Sequence, residues 1–91
     1  MRNGKQKKVD YSNKFLKQLK KAPLEIIVAF RDRLRLFRQD PFHPTLNNHK
    51  LTGRLKGFRS INITGDWRAI YMETDTAIIF ELFGTHIQLY K

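Results

Sequence analysis

Three strand-like runs crowd into the last third of the chain: "FRSINIT" (58–64), "WRAIYMET" (67–74) and "AIIFELF" (77–83), parted only by "GD" and "DT". Gaps of two residues suit tight hairpins between antiparallel strands. The runs therefore predict an antiparallel meander. Within the first run Ile61 and Ile63 fall on one face, while Ser60, Asn62 and Thr64 fall on the other, because side chains alternate along a strand. Such a sheet packs one face on helices and leaves the other open.

The helices precede it. "KKVDYS" (7–12) reads as a short first strand, and from Ser12 the apolar spacing turns helical through Phe15, Leu16 and Leu19. Ser12 is the expected N-cap. Pro23 opens a second helix, where its fixed φ suits the first turn. Along that helix Ile27, Phe30, Leu34 and Phe37 form an apolar stripe, with Arg31, Arg35 and Arg38 off it. "QDPFHP" (39–44) stops it, since a residue before proline avoids helical geometry. Residues 45–57 read as a polar, glycine-punctuated connection. The order β-α-α-β-β-β describes an α+β fold, a two-helix hairpin packed on a small antiparallel sheet.

Ninety-one residues without cysteine allow one small domain, expected over 8–91 behind a flexible basic arm at 1–7. Such a domain buries only about 60% of its unfolded surface, so a stabilising partner subunit fits it. Disulfides, thiolate zinc sites and thiol catalysis are excluded, and a reducing compartment is consistent. No apolar run is long enough to span a membrane. The basic N-terminus has no apolar stretch behind it, so a cytoplasmic protein is expected.

Charge carries the first functional signal. Eighteen Lys and Arg against eight Asp and Glu give a net +10, a field suited to a polyanion or an acidic protein partner. Residues 1–22 hold eight cations and one acid. Residues 47–72 hold five cations and one acid, set among strand-like residues. There the polar residues His49, Lys50, Arg54, Lys56, Arg59, Asp66 and Arg68 gather at strand ends and in the connection, and His86 and Tyr90 follow the last strand. Imidazoles move protons near neutral pH, and Arg or Lys can stabilise a crowded phosphorane. That is a minimal kit for cleaving RNA without a metal or cofactor. His43, His49 and His86 lack the short spacing of zinc ligands, so no metal is expected. His43, in "PFHP", reads as structural.

The run "HKLTGRLKGFRSINITGDWRAIY" (49–71) followed by "FELFGTHIQLY" (80–90) resembles the RelE/ParE superfamily of toxins from bacterial toxin–antitoxin pairs. Its nearest likeness is to the YafQ-like ribonuclease branch. The shared features are "LxGxxKGFR", a "DW" ahead of an "xxIY" strand, "FGTH" and a terminal aromatic. The resemblance implies a ribosome-dependent mRNA endoribonuclease held inactive by a cognate antitoxin, with a toxin–antitoxin hetero-oligomer as the resting form. It places the catalytic positions at His49, Asp66, His86 and Tyr90. Lys50, Lys56, Arg59, Arg68 and Trp67 become the RNA- and phosphate-binding set.

Two positions depart from that branch, which carries a histidine where Asn62 stands and an arginine where Leu82 stands. Asn62 cannot titrate and Leu82 holds no phosphate, which leaves activity reduced, shifted onto His49 and His86, or lost. The residues also leave plainer readings open: His86 as a strand-end histidine bonded to backbone, Trp67 as core, Asp66 as a hairpin residue. At the level of function the rivals are a non-catalytic gyrase binder of the ParE kind and an RNA- or ribosome-binding module.

Overall fold

A computed structural model describes residues 7–90, so most of the expected arm, residues 1–6, lies outside the described residues, as does Lys91. Strand β1 (Lys8–Tyr11) leads into helices α1 (Asn13–Lys20) and α2 (Leu24–Gln39). Strand β2 (His49–Lys50) lies between two 3₁₀ turns, Pro44–Leu46 and Gly53–Leu55. Strands β3 (Arg59–Thr64), β4 (Trp67–Glu73) and β5 (Ala77–Thr85) then run into a last helix, α3 (His86–Tyr90). The sheet order is β1-β5-β4-β3-β2.

The meander forms as its short gaps require, with β3, β4 and β5 antiparallel in sequence order. Two features correct the expected fold. β1 joins β5 in parallel, so the sheet is mixed rather than antiparallel. The two helices carry the chain back to the end from which it started, and that makes a parallel partner reachable. A short helix, α3, absent from the expected β-α-α-β-β-β order, follows β5.

Local chemistry sets the helix ends. The Ser12 hydroxyl accepts the Phe15 N–H at 3.0 Å and donates to the Glu81 carbonyl at 3.1 Å, capping α1 and fastening it to β5. A register shift between Ile70 and Tyr71 leaves Glu81 out of the ladder and its carbonyl available for this bond. Pro23 is the N-cap of α2, one position earlier than the first helical turn. The stripe on α2 faces the sheet: Phe30 and Phe37 are buried, and Ile27 and Leu34 pack against the core. Lys7 is ion-paired to Glu73 at 2.7 Å.

The core between helices and sheet is aromatic. The Phe80 ring lies 5.5 to 5.9 Å from those of Tyr11, Phe15, Phe30, Phe37 and Tyr71, mostly tilted or edge-on. Such geometries add to the area each ring buries. Phe80→Ala should therefore cost about 3–5 kcal/mol. Chemical denaturation should show the midpoint falling with an unchanged slope, whereas a loss below about 1 kcal/mol would show that the core does not hinge on this ring.

Candidate active site

The register of β2 to β5 sorts the polar residues by face. His49 pairs with Ser60, Ser60 with Ile70, and Ile70 with Leu82. Asn62 pairs with Arg68, and Arg68 with Gly84. Partners in a register share a face, so His49, Ser60, Asn62, Arg68 and Leu82 all lie on the side away from α1 and α2. Ile61 and Ile63 lie on the helix side and are buried there. The sequence reading holds for Ser60, Ile61, Asn62 and Ile63, but the register shift between Asn62 and Thr64 pairs Thr64 with Trp67 and takes it off the second face, on which Ser60 and Ile70 are buried rather than open.

Helix α3 folds onto the open face. Its start is a capping box: Thr85 Oγ1 accepts the Gln88 N–H at 3.2 Å, and Gln88 Oε1 accepts the Thr85 N–H at 2.8 Å. Gly84 makes this possible, because a Cβ there would meet Gln88 Oε1 at 2.8 Å. The His86 N–H donates to the Asp66 carbonyl at 3.0 Å, tying α3 to the β3–β4 hairpin. His86 and Tyr90 are i and i+4 on one helical face, with ring centroids 4.7 Å apart. Tyr90 and Leu89 meet Thr52, Arg54 and Leu55 across a shallow groove. "THIQ" was the readable signal for this helix, a Thr-x-x-Gln box that the strand-like context obscured.

Asp66 thus stands beside His86 through its backbone, with its side chain exposed at the hairpin. Arg68 bends over the same hairpin, donating from Nη1 to the carbonyls of Gly65 at 3.1 Å and Trp67 at 3.2 Å. Trp67 is half-buried and stacks on Phe83 at 5.6 Å, so its ring seats the hairpin on the core. Ser60 is fully buried with an unpartnered hydroxyl, and the Asn62 Oδ1 is likewise buried and unpartnered.

The other cations gather elsewhere. Lys50, Lys56 and Arg59 line a cleft of about 680 Å³ near the β2 edge, with Leu51 and Phe58 as apolar lining and Glu73 as its acid. Arg59 spends its Nε on Asn48 Oδ1 at 2.8 Å and stacks over Phe42 at 5.2 Å. His49 stands exposed on β2 with Nδ1 2.8 Å from the Asn47 carbonyl. His43 instead caps the Pro44–Leu46 turn, its Nδ1 accepting the Thr45 N–H at 3.1 Å, which fits the structural role expected of it. The structure therefore brings His86, Tyr90, Asp66 and Arg68 together, and does not bring His49 against His86.

A basic α+β module with His49 and His86 exposed at the ends of its sheet suits an anionic partner. The family described as "Bacterial toxin of type II toxin-antitoxin system, YafQ" matches residues 7–91, and the chain belongs to this family. The sequence is 38% identical over 50 residues to "mRNA interferase toxin YafQ" of Escherichia coli K12, a match spanning 55% of this chain and 54% of that relative. Against the protein of the same name from E. coli B / BL21-DE3 it is 29% identical over 89 residues, 93% of this chain and 97% of the relative.

Solved structures agree. The crystal structure of YafQ from E. coli BL21(DE3) superposes with a TM-score of 0.81 at 28% identity, covering 94% of this chain and all of that one. The toxin in the E. coli DinJ–YafQ toxin–antitoxin complex gives 0.79 at 27% identity, covering 96% and 100%. The resemblance read from "LxGxxKGFR", "DW" and "FGTH" was to the right branch.

One residue beneath the site offers a pH test. Burial pushes the Tyr71 phenol above the ordinary tyrosine value of about 10, against the opposing pull of the Asn48 hydrogen bond and the Arg59 charge. A raised folded value means the native state holds its proton longer than the unfolded chain. The stability it gives is complete below about pH 10 and is lost as pH rises through the folded value. Tyr71→Phe should cost about 1 kcal/mol at pH 7, from the lost Asn48 contact. Alkaline titration followed by circular dichroism should show this variant losing stability less steeply above pH 10; an equally steep loss would place the alkaline transition elsewhere.

Proposed function

We propose that this chain is the ribonuclease toxin of a type II pair, cutting mRNA on the ribosome and neutralised by an acidic antitoxin. The observation that carries this reading is the family match over residues 7–91, together with relatives named as mRNA interferases. The complex of the E. coli relative with DinJ supports the antitoxin as partner. The net charge of +10 suits both an acidic antitoxin and the rRNA and mRNA of the ribosome.

The reaction is an internal phosphoryl transfer. One imidazole takes the proton of a ribose 2′-OH, and the 2′ oxygen attacks the adjacent phosphorus. The bond from phosphorus to the 5′ oxygen breaks, and the second imidazole protonates that oxygen, leaving a 2′,3′-cyclic phosphate and a 5′-OH. His49 and His86 share these roles. Asp66 keeps its carboxylate beside the His86 backbone anchor, where it steadies an imidazolium. Arg68 on the same face stabilises the charge that develops on phosphorus. Tyr90, its ring tilted against that of His86, orients that ring and the substrate. Lys50, Lys56 and Arg59 hold flanking phosphates in the β2-edge cleft, and Trp67 acts by keeping the Asp66–Arg68 hairpin seated.

Asn62 and Leu82 stand where the YafQ-like branch offers a histidine and an arginine, so proton transfer falls on His49 and His86. In a cell-free translation reaction with mRNA 5′ ends mapped by primer extension, wild-type protein should produce cuts inside translated codons. His86→Ala should lower the cleavage rate by about 10²–10⁴-fold. Intact mRNA with wild-type protein would sink the ribonuclease reading and turn attention to gyrase supercoiling. Cuts that persist in the variant would keep the function and move the chemistry off His86.

A further inference from the structure

His49 and His43 are held by hydrogen bonds of opposite sense. A carbonyl oxygen can only accept, so the ring nitrogen of His49 facing the Asn47 carbonyl must carry the hydrogen. A backbone N–H can only donate, so the Nδ1 of His43 facing Thr45 must be bare. In their neutral forms the two rings are therefore different tautomers. His49 is protonated on Nδ1 and keeps its free lone pair on Nε2, the nitrogen at the far tip of the side chain.

The carbonyl that sets this tautomer is itself fixed. Asn47 is the one non-glycine residue with positive φ among those described, at φ 45° and ψ 48°. Asparagine adopts that left-handed conformation more readily than most residues. The next residue, Asn48, pins the segment down. Its Nδ2 donates to the Pro41 carbonyl at 2.9 Å and to the Tyr71 hydroxyl at 2.8 Å, while its Oδ1 accepts from Arg59 Nε at 2.8 Å. Pro41 offers only an acceptor and Arg59 only donors, so the amide has a single allowed orientation. Tyr71 is buried in the aromatic core, and through it the loop is tied to the sheet.

We propose that Asn47 and Asn48 are positioning residues that lock His49 as its Nδ1–H tautomer, presenting Nε2 as the proton acceptor for the ribose 2′-OH. His86 then protonates the 5′ oxygen. Arg59 belongs to this device through its Nε, beyond any contact it makes with phosphate. The catalytic part of the proposal rests on the ribonuclease reading; the tautomer does not.

The test uses full-length ¹⁵N-labelled protein at about pH 8, above the ordinary histidine range, with long-range ¹H–¹⁵N correlations across each imidazole. Wild-type protein should show His49 protonated on Nδ1 and His43 on Nε2, each serving as the other's control. Asn47→Gly, which tolerates positive φ, should keep both signatures and the cleavage rate. Asn47→Val, which resists it, should lose the His49 preference while His43 stays unchanged, and cleavage should fall about tenfold or more, a fraction of what a general base supplies. Asn47 is exposed, so the fold should survive the change. His49 protonated on Nε2 in the wild type would overturn the proposal, as would a valine variant that keeps full cleavage. A wild type with the expected tautomer but no cleavage would support the lock and remove the ribonuclease reading instead.

Discussion

Phe80 is the point on which the rest of the structure turns. Its ring meets β1 through Tyr11, α1 through Phe15, α2 through Phe30 and Phe37, and β4 through Tyr71, so one side chain joins both helices to the sheet. A chain this short has little apolar area to bury and no disulfide to compensate. Large rings solve that problem, since each removes much surface from water at few lost rotamers. The consequence for function is rigidity at the sheet ends. Tyr71 and Phe83 belong to the same cluster, and they carry Asn48 and Trp67, which hold the two sides of the site.

The candidate site lies where the sheet runs out of regular pairing. A register shift at Asn62/Thr64 and the Gly65–Asp66 turn end the β3–β4 ladder, and α3 attaches there by a single backbone bond from His86 to Asp66. At the other edge β2 is only two residues long, and the left-handed Asn47 precedes it. Irregular backbone costs stability, which the core beneath must supply. In return each imidazole has one nitrogen or one face fixed by protein and the remainder turned outward.

Much of the fold was legible because it rests on local rules. The Ser12 cap, the α2 stripe, the proline stop and the short hairpins are each decided by a few neighbouring residues, and each is present, although the β4–β5 connection is three residues long rather than two. The parallel pairing of β1 with β5 was not legible, since it depends on where two helices return the chain. Helix α3 escaped because five residues carry almost no periodicity, although its Thr85–Gln88 box was in plain sight. The faces of β3 were readable from alternation up to Asn62, whereas its place beside Arg68 is set by the β3–β4 register. That same alternation put Arg59 on the helix side, among Asn48 and Phe42, a fact that charge alone does not disclose.

Charge and chemistry divide the labour in this molecule. Cations outnumber acids by ten, so the net field is positive and reaches into solvent. Lysines 14, 17, 20 and 21 are exposed along α1 and its end, where they attract without selecting. Selection needs groups whose direction is fixed, and those are few: His86 against Tyr90, Arg68 folded over the hairpin, His49 against the Asn47 carbonyl. A titratable group lost at Asn62 need not empty such a site of activity, because a proton relay requires one acceptor and one donor, each correctly aimed. On the proposed reading the imidazoles carry the protons, and their aim depends on Asn47, Asn48, Trp67 and the α3 capping box.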